Sequence, residues 1–338
     1  MDATRTFGGR MLGAALALAA GACAAGDEDV ARLADGAAGQ GGGQGAGAGM
    51  AASAPGGGQL VGAGGGGAQA EAGTGMDAPP VTGPTEGSAG TLGLPPAPDG
   101  FDVPGPFETV EEAAGPDHSI HRPRELGGDG VRHPVVLWGN GTLMPTSSYA
   151  GLLAHWASHG FVVVAASTTS SGTGVEMLEG IEWLRGSAIA AEVDLDRVGA
   201  SGHSQGGSGA IVAGSDARVH ATAVIEPGPS YVGGELSSDA SGLMGPTFMI
   251  AGGADGIVSP AAMVQPRYEA ADHVDAVYGI HGSADHFAPT GDASAFRGYT
   301  TAFFRAHLMD DPQAHAVFSG DACGICADPQ WTVQRNYE

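Results

Sequence analysis

The sequence predicts an α/β domain with a central, mostly parallel sheet flanked by helices. Three observations carry this reading. Apolar runs alternate with segments of helical periodicity from residue 133 to residue 308. The pentapeptide Gly202-His203-Ser204-Gln205-Gly206 stands between a short apolar stretch and a small-residue segment able to form a helix. About 240 residues remain once the low-complexity N-terminus is set aside, enough for one core. Alternation of this kind reads as strands joined by crossover helices.

The first 23 residues read as an export signal. Arg5 and Arg10 flank a positive start, and Met11 to Ala20 is an apolar run too short to span a bilayer but suited to a signal core. It ends in Ala20-Gly21-Ala22-Cys23, small residues before a cysteine. That pattern resembles a bacterial lipobox, with Cys23 as the lipidated residue and Ala20 where leucine is usual; ordinary cleavage at an Ala-x-Ala site is the alternative. Residues 24–95 are mostly Gly, Ala, Gln and Ser, which cannot bury enough apolar surface to offset chain entropy, and are expected to form a disordered tether. Residues 96–338 are the expected α/β domain.

Within that domain the elements follow in order. His133 to Trp138 is a buried strand, and Tyr149 to Ser158 is a helix with Leu152, Leu153 and Trp156 on one face. Phe161 to Ala166 is the next strand. Val175 to Arg185 is a helix, with Met177, Leu178, Ile181 and Leu184 at helical spacing. Arg197 to Ser201 is the strand entering the pentapeptide. His220 to Ile225, Pro246 to Ala251 and Ala276 to Ile280 are further strands. Phe296 to Leu308 is an amphipathic helix expected to close the sheet.

Composition narrows the function. The net charge is −24, and all 13 basic residues are arginine. So acidic a surface repels nucleic acid and gains nothing from anionic lipid heads; it suits solubility outside the cell or in high salt. Of the three cysteines, Cys323 and Cys326 form a Cys-Gly-Ile-Cys pair near the C-terminus. In an exported protein a local disulfide is expected, with free thiols as the alternative. A metal site would need two more ligands, which the neighbourhood does not offer.

The pentapeptide fits a nucleophile elbow, a strand-to-helix turn so tight that glycine is needed on both sides of the serine. With 61 glycines in the chain the match alone is weak. Its partners give it weight. Chain order requires an acid and then a histidine at the ends of later strands. Asp255 follows the Pro246 to Ala251 strand, and His286 follows the Ala276 to Ile280 strand; His281 lies so close to the strand end that its ring should face elsewhere. Ser204 is then the nucleophile, His286 the base and Asp255 the acid that orients it. The oxyanion donors are expected to be the Gln205 N–H and one from Gly141 or Thr142, in the loop after the His133 to Trp138 strand. No metal or cofactor is implied.

These segments resemble the α/β-hydrolase fold and, within it, the bacterial cutinase-like and polyester-hydrolase branch. The resemblance runs from Pro134 to Leu308. It rests on Pro134-Val135-Val136-Leu137-Trp138, Ser158-His159-Gly160-Phe161-Val162-Val163-Val164, Gly202 to Gly207, Asp255-Gly256-Ile257 and Gly282 to His286. It implies the same triad, with Gln205 as an oxyanion donor. Members acting on polyesters usually have methionine at the position of Gln205, an aromatic residue in the oxyanion loop, and a tryptophan where Glu226-Pro227-Gly228-Pro229-Ser230 stands here. The expected pocket, with His203, Tyr231 and Ile257, is therefore more polar and suits short or aliphatic esters. The expected protein is an exported monomeric serine esterase, touching membrane only through a lipid at Cys23. An acyltransferase or peptidase on the same fold, or a non-catalytic binding module, is the alternative.

Overall fold

The computed structural model describes residues 92–97, 100–229, 231–232, 235–236 and 239–336. The export signal, Cys23 and most of the tether lie outside the described residues. Of the tether, residues 92–95 are described, and Leu94 is buried in the core. All described residues fall in one compact unit.

Six strands form the parallel centre: β3 (His133–Gly139), β4 (Val162–Ala166), β5 (Val193–His203), β6 (Ala221–Ile225), β9 (Thr247–Gly252) and β10 (Ala276–His281). They are ordered β4-β3-β5-β6-β9-β10, and each neighbouring pair is parallel. Every residue of β3, β4, β6 and β9 is buried. A parallel sheet is covered by helices on both faces, and its strands are therefore near-continuously apolar. The helices are α1 (Ala150–Ser158), α2 (Val175–Arg185), α3 (Gln205–Gly214), α4 (Gln265–Ala270), α5 (Arg297–Met309), α6 (Pro312–His315) and α7 (Gly324–Ala327). One apolar core, containing Trp138, Trp156 and Phe304, lies under α1 and α5. The other, containing Leu137, Met177 and Ile211, lies under α2 and α3.

Three antiparallel strands flank this centre: β1 (Thr109–Ala114), β2 (His118–Pro123) and β11 (Trp331–Arg335). The hairpin β1–β2 pairs with β4, and β11 pairs with β10, giving a nine-stranded sheet. The outer edge strand β1 carries exposed Glu111 and Glu112, and Arg122 of β2 reaches Glu112 at 2.9 Å. Charge on an edge strand discourages pairing with another chain. Helix α5 covers strands β5 and β6 rather than the sheet margin, so the C-terminal edge is closed by β11 and not by the helix. A separate two-stranded ribbon, β7 (Tyr231–Val232) with β8 (Glu235–Leu236), follows β6. Among the described residues no helix is long and apolar enough to cross a membrane.

Candidate active site

The carboxyl ends of the parallel strands converge on Ser204. Strand β5 ends at His203, and α3 begins at Gln205, so a single residue makes the turn. Ser204 takes φ 54° and ψ −122°, a region non-glycine residues rarely occupy. The turn is closed by glycine: a Cβ on Gly206 would stand 2.1 Å from the Gly139 carbonyl oxygen at the end of β3. Strand and helix can approach this closely only without a side chain there, and the approach holds the serine outward.

The loops after β9 and β10 bring two side chains to it. His286 Nε2 lies 3.1 Å from Ser204 Oγ, and His286 Nδ1 lies 2.8 Å from Asp255 Oδ2. The other Asp255 oxygen accepts the N–H groups of Ile257 and Val258 at 2.7 and 2.8 Å, which fixes the carboxylate. Residues far apart in the chain thus form one hydrogen-bonded row in which the imidazole can take the serine proton. His281 turns away: its Nε2 lies 3.1 Å from Gln330 Oε1, and its ring packs on Trp331.

Other expected residues are placed differently. Gly141 N–H donates to the Tyr149 hydroxyl oxygen at 3.2 Å, so that donor is engaged inside the fold and not directed at a substrate. Thr142, the other candidate, is exposed. Gln205 opens α3, so its N–H has no carbonyl one turn back in the helix. The loop is anchored through Asn140, which is fully buried. Its Oδ1 accepts Trp138 Nε1–H at 3.0 Å, and its Nδ2 lies 2.8 Å from Ala166 O and 3.0 Å from Thr168 O. His203 does not line an open pocket. It is 1% exposed, and its ring sits under His286 with centroids 4.7 Å apart. Ile257 packs against the α2–α3 core and contributes its N–H to Asp255. The Tyr231 side chain lies outside the described residues. Cys323 and Cys326 are joined in a disulfide at α7, remote in sequence from these loops.

A residue not singled out by its chemistry in the sequence stands beside the row. Glu226, just past β6, is completely buried, and its Oε2 lies 3.4 Å from His203 Nε2 and 3.6 Å from His286 Nδ1. Neither oxygen makes a hydrogen bond among the described residues. Burial, then the charges of Asp255 and Asp285, push its carboxyl up to about 10. Burial drives His203 the other way, well below its usual value, with His286 adding to the effect. Both partners are neutral near pH 7, so this is not an ion pair. Beyond His203 lies Tyr149, whose hydroxyl is 2.8 Å from His203 Nδ1. Tyr149 O accepts from Gly141 and its hydroxyl lies against His203 Nδ1, which leaves Nε2 as the His203 nitrogen that faces Glu226.

His203, Glu226 and His286 also bring one ligand atom each within 4.8 Å of one another, as a metal site would. The hydrogen bond to Asp255 opposes that use, because it commits His286 Nδ1 as a donor to that carboxylate. The site is built for N–H donors around a carboxyl group.

A family described as "PET hydrolase-like" matches residues 115–330. A bis(hydroxyethyl) terephthalate hydrolase of Streptomyces coelicolor is 27% identical over 172 residues, covering 49% of this chain and 54% of the relative, so the match spans about half of that protein. Cutinase est1 and cutinase est2 of Thermobifida alba are 26% and 27% identical over 241 residues, covering 66% of this chain and 78% and 77% of theirs. The matched region contains the whole Ser204, Asp255 and His286 row and the nine-stranded sheet apart from its two outermost strands, β1 and β11. The chain belongs to the PET hydrolase-like family.

Proposed function

We propose that this protein hydrolyses carboxylic esters through an acyl-Ser204 intermediate. The observation that carries the reading is the continuous row from Ser204 Oγ through the His286 ring to Asp255, with steps of 3.1 and 2.8 Å. As Ser204 attacks the ester carbonyl, His286 Nε2 takes its proton and then delivers it to the leaving alkoxide. Asp255 holds the Nδ1–H tautomer and stabilises the imidazolium. The Gln205 N–H, at the positive end of α3, and the Thr142 N–H are the proposed donors to the tetrahedral oxyanion. Water then repeats the sequence on the acyl-enzyme, so none of these steps calls on a metal or an organic cofactor.

The proposed substrates are short-chain esters and aliphatic polyesters. Support comes from the cutinases among the relatives and from the loop after β6, where Gly228 stands against Ser204. A Cβ on Gly228 would lie 3.1 Å from Ser204 Oγ, so the wall is small where it meets the nucleophile. The protein is proposed to act after export, as a monomer tethered by a lipid at Cys23 or released. The test is p-nitrophenyl butyrate hydrolysis by wild type and Ser204→Ala. A loss on the order of 10⁴-fold or more is expected; equal rates would remove Ser204 from the chemistry.

A further inference from the structure

Glu226 is buried at a cost, and three features show that the fold makes room for it. Its backbone lies in the left-handed region at φ 47°, which a non-glycine residue avoids unless its surroundings demand it. Gly252, the last residue of β9, lacks the side chain that would collide with it: a Cβ there would stand 2.4 Å from Glu226 Oε1. The carboxyl is completely buried and neither oxygen makes a hydrogen bond among the described residues, one of them standing 3.6 Å from the nitrogen that Asp255 also approaches. Such groups are rarely kept unless they act.

We propose that Glu226 is a second acid for His286, a positioning residue that faces the same Nδ1–H as Asp255 and takes over its task when Asp255 is lost. This rests on the triad reading above. In the intact protein Glu226 is a neutral acid with Oε2 facing two ring nitrogens, His203 Nε2 and His286 Nδ1. It links the base to the Tyr149–Gly141 chain and so to the oxyanion loop. When the Asp255 carboxylate is removed, one of the two neighbouring charges that hold the proton on Glu226 disappears. Glu226 then releases that proton to solvent and becomes the anion facing Nδ1–H. His286 can again accept the Ser204 proton on Nε2 while its positive ring is balanced. The titratable groups around Glu226 are His203 at the end of β5, with Tyr149 behind it, Asp255 after β9, and Asp285 and His286 after β10. Only Asp255 and Asp285 are acids among these, so the Asp255 substitution is the one that unloads Glu226.

The experiment is a double-mutant cycle on p-nitrophenyl butyrate, with folding of each variant checked by circular dichroism. Removing the orienting acid of a serine triad typically costs about 10⁴-fold in kcat. Asp255→Ala is expected to lose only about 10²-fold, and Asp255→Ala/Glu226→Gln a further ~10²-fold, whereas Glu226→Gln alone costs a few-fold. The residual activity of Asp255→Ala should rise with pH as Glu226 ionises, and that rise should vanish in the double variant. Asp255→Ser, whose hydroxyl can still accept the Ile257 and Val258 N–H groups, repeats the cycle if the alanine variant does not fold. Equal factors for Glu226→Gln with and without Asp255, or the same pH profile in both backgrounds, would overturn the proposal. Those results leave the triad reading standing if Ser204→Ala is inactive; an active Ser204→Ala sinks that reading itself.

Discussion

Two buried carboxyl groups flank one imidazole, and they differ in almost everything else. Asp255 receives three N–H groups, from Ile257, Val258 and His286. Glu226, on the other side of the same nitrogen, receives none within hydrogen-bonding distance. The first sits in a turn whose backbone donors converge on it. The second is pressed against β9 with its proton retained. Equivalent chemistry is thus given opposite states by local backbone geometry: donors solvate a carboxylate, whereas a dry pocket beside another acid keeps a carboxyl neutral.

That contrast can be broken from either side. The largest expected effect is on Asp255. Asp255→Ala orphans the Ile257 and Val258 N–H groups. Its midpoint in urea should correspond to a loss of about 3 kcal/mol, at the scale of a buried donor left without a partner. A midpoint equal to wild type would mean that Asp255 does not anchor its turn.

Glu226→Gln should have the opposite sign. A carboxyl raised from 4.5 to about 10 keeps its proton in the folded protein while the unfolded chain loses it. Stability is therefore full below pH 4.5 and declines as pH rises toward 10. By pH 7 the loss amounts to about 3 kcal/mol. Glutamine does not titrate, so the variant should be more stable than wild type at pH 8 and gain little at pH 5. Thermal melts at the two pH values measure this, and a gain that does not grow with pH contradicts a buried neutral Glu226.

Tyr149→Phe sharpens the link between the two sides. It leaves the Gly141 N–H and His203 Nδ1 without their shared partner and should cost about 1–3 kcal/mol. Turnover should fall by a few-fold more than stability explains, because the oxyanion loop is released; unchanged kcat would cut Tyr149 out of the site. The smallest effect lies at acid pH. His159 is fully buried and held at about 4, chiefly by burial. Its contribution is present above pH 6.5 and lost as pH falls through about 4. His159→Gln should flatten the drop in melting temperature between these values, and an equally steep drop would assign acid lability elsewhere.

The parallel centre and the elbow were legible in the sequence because both rest on local rules. Buried parallel strands must be apolar throughout, and Gly202 and Gly206 bracket a turn no larger residue can make. The flanking strands were not legible. β1 reads Thr-Val-Glu-Glu-Ala-Ala and β11 reads Trp-Thr-Val-Gln-Arg, too charged or too short to signal a strand before a neighbour pairs with it. The row of Ser204, Asp255 and His286 could be anticipated from chain order, as could the turn of His281 away from it. Gly141 could not be excluded as an oxyanion donor, since the Tyr149 hydroxyl that occupies its N–H lies on a different element. His203 read as a pocket residue because the residue beside a nucleophile commonly faces substrate; β5 points it inward.

By itself, then, the sequence determined the parallel centre of the sheet, the elbow and the order of the reacting groups, because periodicity, glycine sterics and strand ends are properties of short segments. Only the tertiary structure decided which neighbours those groups have. Glu226 appears in the chain as a polar residue after a strand, next to Pro227. Its burial, its proton and its approach to His286 arise when β5, β6 and β9 stack side by side, with Gly252 opening the space, and no segment of the chain holds that information alone.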